Sequence, residues 1–329
     1  MTEALLKVEN LHTQFRTEGG VVNAVDDVSF EVRSGETFAL VGESGCGKSV
    51  TALSIMGLIP NPPGEIISGS IEFDGVDLLK LAPREMRAIR GSRIGMIFQE
   101  PMSSLNPVLT IESQLAEPLK IHQDMSNEAA RDRSLELVEM VGIPDSKTRL
   151  KQYPHELSGG QRQRIMIAMA MACNPRLLIA DEATTALDVT IQAQILDLMQ
   201  EITEQSGASL LIITHNLGIV ARYANRVAVM YAGKLREVSE ATDLYAKPHH
   251  PYTVGLLQSV PRLDSDKGQP LLPIAGEIPD LTDLPEGCAF NPRCQWAVDQ
   301  CRTEQPLLEV SEPGRQVACF EHQSVSLRV

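Results

Sequence analysis

The sequence predicts an α/β protein with a parallel sheet, a helical insertion and a loop-rich extension at its C-terminal end. Short apolar runs rich in branched residues alternate with helical patterns, as in parallel sheets covered on both faces. A central stretch offers no convincing strand, and the final part is rich in proline with little periodicity. We therefore expect a core domain over residues 1–240, with the insertion at about 100–160, and an extension over 241–329.

The apolar runs predict strands at residues 5–9, 28–32, 38–41, 94–99, 177–180, 210–214 and 227–231. Amphipathic or apolar periodicity predicts helices at residues 49–58, 128–141, 161–173 and 191–205. The prolines that follow Ser239 predict a segment without long elements.

Charge and hydropathy disfavour a nucleic-acid-binding, a membrane-spanning and a secreted protein. The chain has 329 residues, 29 basic and 43 acidic, so its net charge is −14, and an acidic surface disfavours nucleic acid as the main partner. The longest uncharged stretch, residues 205–221, is too short and too polar to span a bilayer. The first residues carry no basic patch and no apolar run, so we expect no secretory signal and a cytoplasmic location.

A glycine-rich loop follows the apolar run at 38–41 and precedes a predicted helix. Its residues are Gly42, Glu43, Ser44, Gly45, Cys46, Gly47, Lys48 and Ser49, which match the P-loop pattern in the required context. Backbone N–H groups of such a loop bind phosphate at a helix N-terminus. We expect Lys48 to reach the β- and γ-phosphates and Ser49 to ligate Mg²⁺. A glycine-rich turn that matches by chance is the alternative.

Two acids, Asp181 and Glu182, end the apolar run at 177–180. The carboxyl ends of strands are where α/β sheets bind ligands. We expect Asp181 to hold the Mg²⁺ shell and Glu182 to act on the attacking water as general base. Alone, these acids could simply begin an acidic loop, but beside a P-loop they indicate a nucleoside triphosphatase.

Four residues open the helix predicted at 161–173, namely Ser158, Gly159, Gly160 and Gln161. With Leu157 they closely resemble the signature motif of ATP-binding-cassette (ABC) ATPases. The resemblance implies an ABC-type P-loop ATPase core with a helical subdomain. It also implies that this helix N-terminus contacts the nucleotide held by a second, homologous ATPase subunit, so that two subunits enclose two nucleotides head to tail.

Further positions match the ABC pattern. The resemblance implies that Gln99 contacts Mg²⁺ and the attacking water, that His215 lies near the γ-phosphate, and that residues 186–188 communicate across the dimer. Val50 is expected beside the nucleotide. Phe15 is a candidate for stacking on adenine, with core packing as the alternative. The sequence departs from the family at Ala183, where proline is commoner, and at Asn216, where aspartate is usual.

Residues 248–253 and 287–294 resemble the C-terminal extension of peptide importer ATPases, the dipeptide, oligopeptide and nickel group. This implies an ATP-hydrolysing subunit that powers uptake of peptides or a related solute. It further implies two transmembrane permease subunits, a second and non-identical ATPase, and an external solute-binding protein. The chain would lie at the cytoplasmic face of the inner membrane and dock beside Gln99. A soluble ABC ATPase acting on nucleic acid or ribosomes is the alternative, which the acidic balance and single cassette disfavour.

Four of the six cysteines, Cys288, Cys294, Cys301 and Cys319, cluster near the C-terminal end. In a reducing compartment such a cluster indicates a metal or cluster site before disulfides. The spacing lacks the paired knuckles of structural zinc, so from the residues Zn²⁺, an iron–sulfur cluster and no ligand all stay open. The resemblance favours a [4Fe–4S] cluster. We expect a mainly structural role, because the proline-rich extension has few periodic apolar residues with which to build its own core. A redox or iron sensor that regulates the ATPase is a further possibility. Cys46 and Cys173 are interpreted as plain small residues.

Overall fold

The computed structural model describes residues 3–99, 104–183, 189–259 and 273–325. They fall into two compact units. The first, called here the helix-rich unit, is built mainly from residues 80–212 with residue 3 and the short segment 33–36. The second, called the P-loop unit, comprises residues 4–32, 37–79 and the described part of 213–329.

The strands are, in chain order, β1 Ala4–Thr17, β2 Gly20–Arg33, β3 Thr37–Val41, β4 Gly64–Phe73, β5 Val76–Asp77, β6 Ile94–Ile97, β7 Leu177–Asp181, β8 Ser209–Thr214, β9 Arg226–Tyr231, β10 Lys234–Glu240, β11 Glu309–Glu312 and β12 Arg315–Val317. The α-helices are α1 Lys48–Ile55, α2 Pro83–Ile89, α3 Ile111–Gln123, α4 Asn127–Met140, α5 Ser146–Arg149, α6 Gly159–Met171, α7 Val189–Ser206, α8 Leu217–Tyr223, α9 Ala241–Ala246, α10 Pro251–Gln258 and α11 Gln300–Thr303.

Two sheets build the P-loop unit. The first has the strand order β2-β1-β4-β5, and β1 pairs with β4 antiparallel. The second contains the order β11-β12-β10-β9-β3, in which β3 and β9 are parallel, with Leu40 opposite Ala228. All six residues of β9 are buried, as expected of a strand covered on both faces. This buried pair carries the P-loop at the carboxyl end of β3.

In the helix-rich unit, strands β8, β7 and β6 lie side by side, and β6 and β7 are parallel. Helices α3, α4 and α6 pack together through apolar side chains such as Leu115, Leu137 and Ile167, which are fully buried. The parallel pairing of β6 and β7 brings the residues that follow each strand to the same edge.

The predicted strands and helices are all present, but the sequence patterns missed several elements. Strands β4, β5, β10, β11 and β12 were not predicted, because polar residues interrupt their alternation. Helix α3 was missed because Pro118 lies inside it, a residue that normally breaks helices. The buried Ile111, Leu115 and Leu119, spaced four residues apart, hold this helix in place. The predicted division at residue 240 stays a prediction, although the described part of the extension belongs to the same unit as the P-loop.

Candidate functional site

The P-loop backbone is packed so closely that only glycine fits at two of its positions. A Cβ at Gly42 would lie 2.2 Å from the carbonyl oxygen of Met230, and one at Gly47 would lie 2.1 Å from that of Ala24. Gly47 also has φ of +109° as the N-cap of α1, a conformation that L side chains rarely adopt. The loop therefore runs directly into a helix N-terminus, the geometry that binds phosphate.

Lys48 is buried, with 3% of its surface exposed. Its Nζ donates to the carbonyl oxygens of Gly42 and Glu43, both at 2.9 Å. The ammonium group is thus held over the loop by partial negative charges, in the place where phosphate oxygens would compete for it. Ser49 and Val50 are half-buried on the first turn of α1, while Ser44 and Gly45 are exposed at the tip.

The Cys46 side chain faces the protein interior. Burial raises the pKa of its thiol above the ordinary value, so the group stays protonated at neutral pH. This agrees with its interpretation as a small packing residue.

Gln99 and Glu182 meet at the edge of the helix-rich unit where β6 and β7 end. The amide Nε2 of Gln99 donates to Oε2 of Glu182 at 3.0 Å. Glu182 has φ of +45°, a left-handed conformation that is uncommon for a side-chain-bearing residue and that clusters at functional sites. Asp181 precedes it as the buried last residue of β7. The structure therefore brings Gln99 and the two acids together at this edge, and their roles toward Mg²⁺ and the attacking water stay predictions.

The predicted signature residues form the N-terminus of α6. Ser158 is the N-cap: its hydroxyl accepts from the Gln161 N–H at 3.3 Å, and its own N–H donates to the Gln161 side chain at 3.0 Å. This reciprocal capping box fixes the first turn. A Cβ at Gly159 would meet nothing within 4 Å, whereas one at Gly160 would lie 3.6 Å from the Ile191 side chain, so the backbone faces open space at Gly159.

The two departures from the family pattern keep structural roles. Asn216 caps α8, with its side-chain oxygen accepting from the Gly218 N–H at 2.9 Å. The carbonyl of Ala183 accepts from the side-chain amide of the buried Gln163 on α6, which ties the residues after β7 to the signature helix.

His215 and Phe15 lie in the P-loop unit. His215 follows β8 and is exposed. Phe15, half-buried at the end of β1, pairs with Gly64, where an added Cβ would lie 2.7 Å from its ring. These contacts fit packing against β4, and adenine stacking stays a prediction. Residues 186–188 lie outside the described residues.

The four clustered cysteines line one small cavity of about 10 Å³, walled also by Phe290 and Trp296. They are free thiols. Burial, together with the charge of the neighbouring thiolates, raises the pKa of Cys294 to about 11 and that of Cys319 to about 12. Among the described residues, no group of three or more histidine, cysteine, aspartate or glutamate side chains is arranged to hold a metal ion. The fold thus gathers the four predicted ligands without itself establishing a metal or a cluster.

A buried arginine beside this cavity was not predicted from the sequence. Arg236 is 1% exposed, and its Nε and Nη2 have no hydrogen-bond partner among the described residues. Desolvation lowers its pKa, and the strongest opposing effect comes from Cys288. A buried cation with two unpaired donor nitrogens favours an anionic group nearby.

Sequence reasoning also missed the residues that join the extension to the P-loop. Tyr252 and Arg293 both contact Glu43 of the P-loop. A separate contact holds the start of the extension, where the fully buried Glu237 accepts from the backbone N–H groups of His249 and His250 at 2.8 and 2.9 Å. The resemblance of residues 248–253 to a known extension was the one available signal, and it did not indicate these contacts.

Comparisons with known proteins agree with this geometry. The ABC transporter family matches residues 25–185, and the oligopeptide/dipeptide transporter C-terminal region matches residues 237–301. The dipeptide transport ATP-binding protein DppD of Bacillus subtilis is 54% identical over 97% of this chain and 95% of its own length. The oligopeptide transport ATP-binding protein AppD of the same organism is 51% identical over 96% of each chain.

Among solved structures, the ATP-binding cassette MJ0796, a dimer in a post-hydrolysis state bound to ADP and Pi, superposes with a TM-score of 0.65. It is 28% identical and covers 72% of this chain and 98% of its own. The cassette cbiO1 of Clostridium perfringens, part of the cbiONQ transporter complex, gives a TM-score of 0.63 at 26% identity, over 74% of this chain and 91% of its own.

A P-loop opening a helix, a strand ending in two acids and a glycine-rich capped helix together define an ABC-type ATPase. This chain belongs to the ATP-binding subunits of peptide ABC importers. It hydrolyses ATP as part of an ATPase dimer that works with membrane permease subunits. The predicted family, the ABC-type α/β fold and the enzyme activity are confirmed, whereas a C-terminal extension built around four cysteines stays a prediction. The alternative of an ATPase acting on nucleic acid or ribosomes is not supported. Within the described parts of the chain, no helix is long and apolar enough to cross a bilayer.

Replacing Glu182 by glutamine tests its role as general base. The change keeps size and hydrogen bonding but removes the basic oxygen, and such groups contribute about 10²–10⁴-fold to rate. We expect MgATP binding to persist, turnover to fall by that factor, and an ATP-bound closed dimer to accumulate in gel filtration. The exposed Glu139 provides the matched control, Glu139→Gln, which should hydrolyse ATP as the wild type does. Near-normal turnover by Glu182→Gln would contradict the assignment.

Proposed function

We propose that this chain powers the import of dipeptides or oligopeptides, or a closely related solute, by binding and hydrolysing MgATP at the site described. The observation that carries the proposal is the closely packed P-loop, in one chain with an extension that matches the oligopeptide/dipeptide C-terminal region. The names of the relatives, which are dipeptide and oligopeptide transport ATP-binding proteins, support the class of solute.

In the proposed site, the backbone of Gly42–Val50 cradles the phosphates, and Lys48 leaves the carbonyls that hold it to bind the β- and γ-phosphates. Ser49, Asp181 and Gln99 would hold Mg²⁺, which screens the phosphate charge when bound. Glu182 accepts a proton from the attacking water while Gln99 orients its carboxylate. His215 contacts the γ-phosphate and Phe15 stacks on adenine.

The signature helix acts on the nucleotide of the second subunit. The first turn of α6, with Ser158, Gly159, Gly160 and Gln161, offers the open backbone at Gly159 and a positive helix end to a γ-phosphate. ATP binding closes the dimer and hydrolysis reopens it, which the permease subunits convert into alternating access. We take the second ATPase to be a non-identical homologue.

The remaining partners follow from the proposed function. An external solute-binding protein would deliver the peptide to the two permease subunits, and no nucleic acid takes part. The chain would associate peripherally with the cytoplasmic face of the inner membrane, with a docking groove beside Gln99.

For the extension, we infer that Cys288, Cys294, Cys301 and Cys319 hold one [4Fe–4S] cluster with a mainly structural role. Four thiols around a single cavity form the donor set that such a cluster requires. A cluster with four thiolates is anionic and would compensate the buried Arg236. A tetrahedral Zn²⁺ held by the same four thiolates is the alternative occupant.

Reconstitution in proteoliposomes tests the import function. With both permease subunits, the second ATPase and the solute-binding protein, the wild-type chain should drive ATP-dependent uptake of labelled peptide. Ser158→Arg should bind a fluorescent ATP analogue like the wild type, because its own P-loop is spared, yet abolish uptake because the arginine obstructs dimer closure.

The matched control for this experiment is Ser34→Arg, at an exposed turn, which should sustain uptake. Peptide transport by Ser158→Arg would contradict the role of the signature helix. A wild-type complex that hydrolysed ATP but moved no peptide would contradict the proposed solute class.

Metal analysis tests the cluster. Anaerobically purified protein should contain iron and sulfide in stoichiometric amounts with visible absorption, and Cys294→Ser should lose both together with thermal stability. Cys173→Ser is the matched control and should keep both, since that residue lies in the helix-rich unit. Stoichiometric zinc without sulfide would replace the cluster by an ion, and four thiols that are alkylated freely in the native protein would overturn the site.

A further inference from the structure

Two residues of the C-terminal extension, Arg293 and Tyr252, hydrogen-bond to Glu43, the one acidic residue of the P-loop. Arg293 donates from Nη1 to Oε2 of Glu43 at 2.8 Å and from Nη2 to Oε1 at 3.0 Å. This is a bidentate pair in which two parallel charge-assisted hydrogen bonds fix both distance and orientation. Its partners lie 250 residues apart in sequence and within the same compact unit.

The guanidinium of Arg293 is itself held rigidly. Its Nε donates to the carbonyl of Ala275 at 3.0 Å. The central guanidinium carbon, Cζ, lies 5.8 Å from the ring centre of Tyr231 and 5.9 Å from that of Phe290. The side chain is 4% exposed, against 21% for Glu43. Because an arginine guanidinium stays protonated throughout the ordinary pH range, the positive charge of this pair is permanent.

A second residue of the extension holds the backbone of the same P-loop position. The hydroxyl of Tyr252 accepts from the Glu43 N–H at 2.7 Å. Tyr252 is fully buried and packs on Tyr231, with ring centres 4.6 Å apart. Because the Glu43 carbonyl accepts from Lys48, the N–H, the carbonyl and the carboxylate of Glu43 are all engaged.

This arrangement has an electrostatic consequence for ATP. A free carboxylate inside the P-loop would repel a triphosphate, since like charges close together are unfavourable, most of all where water is partly excluded. The bidentate contact compensates the charge of that carboxylate and holds both of its oxygens on the Arg293 guanidinium. The phosphates then meet no free carboxylate of the P-loop beside Lys48 and the backbone N–H groups.

We propose that Arg293 is a positioning residue for the ATPase reaction: from the extension it neutralises Glu43 and fixes the P-loop for nucleotide. The extension therefore completes the ATP site as well as containing the cysteine cavity. The inference concerns ATP binding and holds whichever solute the transporter carries and whatever the cysteines bind.

The test uses the full-length chain and a fluorescent ATP analogue with Mg²⁺. Arg293→Gln should weaken binding on the order of tenfold, the effect of losing one hydrogen-bonded charge partner. Raising the salt concentration should shrink its deficit relative to the wild type, because ions screen the repulsion of the unpaired Glu43. The exposed Arg302, also in the extension, provides the charge-matched control Arg302→Gln, which should bind like the wild type.

Adding Glu43→Gln to Arg293→Gln separates positioning from general stability. If the unpaired carboxylate causes the defect, the double variant should bind nucleotide more tightly than Arg293→Gln alone. A merely structural role for Arg293 predicts no such recovery. Arg293→Gln that binds like Arg302→Gln, or a double variant that binds no more tightly than Arg293→Gln, would overturn the inference. A wild type that bound no MgATP would instead overturn the proposed function of the site.

Discussion

The nucleotide site depends on how closely the P-loop backbone packs against two neighbouring carbonyl groups. At Gly42 and Gly47 the space for a side chain is already filled by the carbonyls of Met230 and Ala24. The loop can therefore curl tightly into the N-terminus of α1 and turn its N–H groups toward a ligand. This backbone also sets the positions of Lys48 and Glu43, since the Lys48 ammonium group donates to the carbonyls of Gly42 and Glu43. The placement of both charged residues therefore depends on the close packing of the two glycines.

The C-terminal extension, which lies outside the ATPase cassette in sequence, also helps to fix the P-loop backbone. Tyr252 and Arg293 hold one P-loop residue by its N–H and its carboxylate, and both are packed against aromatic rings. In the helix-rich unit, a comparable arrangement fixes Glu182 through Gln99 and through its left-handed backbone. Within each unit, these contacts hold a predicted site residue in place, Glu43 in the P-loop unit and Glu182 in the helix-rich unit.

Motifs that are contiguous in sequence could be predicted because local geometry fixes their meaning. The P-loop, the two acids after β7 and the capped helix at Ser158 each combine residue types and spacing that serve one purpose. The contacts of Arg293 with Glu43 could not be predicted, since either charge alone is typical of a solvated surface. The burial of Arg236 could not be predicted either. It lies on β10, whose polar residues interrupt the alternation that would have predicted a strand, and it is buried beside the cysteine cavity.

Amide hydrogen exchange of residues 42–49 tests most directly whether the extension holds the P-loop in place before ATP binds. The full-length, nucleotide-free wild type is compared with Tyr252→Phe, which keeps the buried ring but removes the acceptor of the Glu43 N–H; α4 serves as an internal reference. We predict a protected Glu43 amide in the wild type and faster exchange across the loop in Tyr252→Phe, with α4 unchanged. Equal exchange of the loop in both proteins would contradict the account.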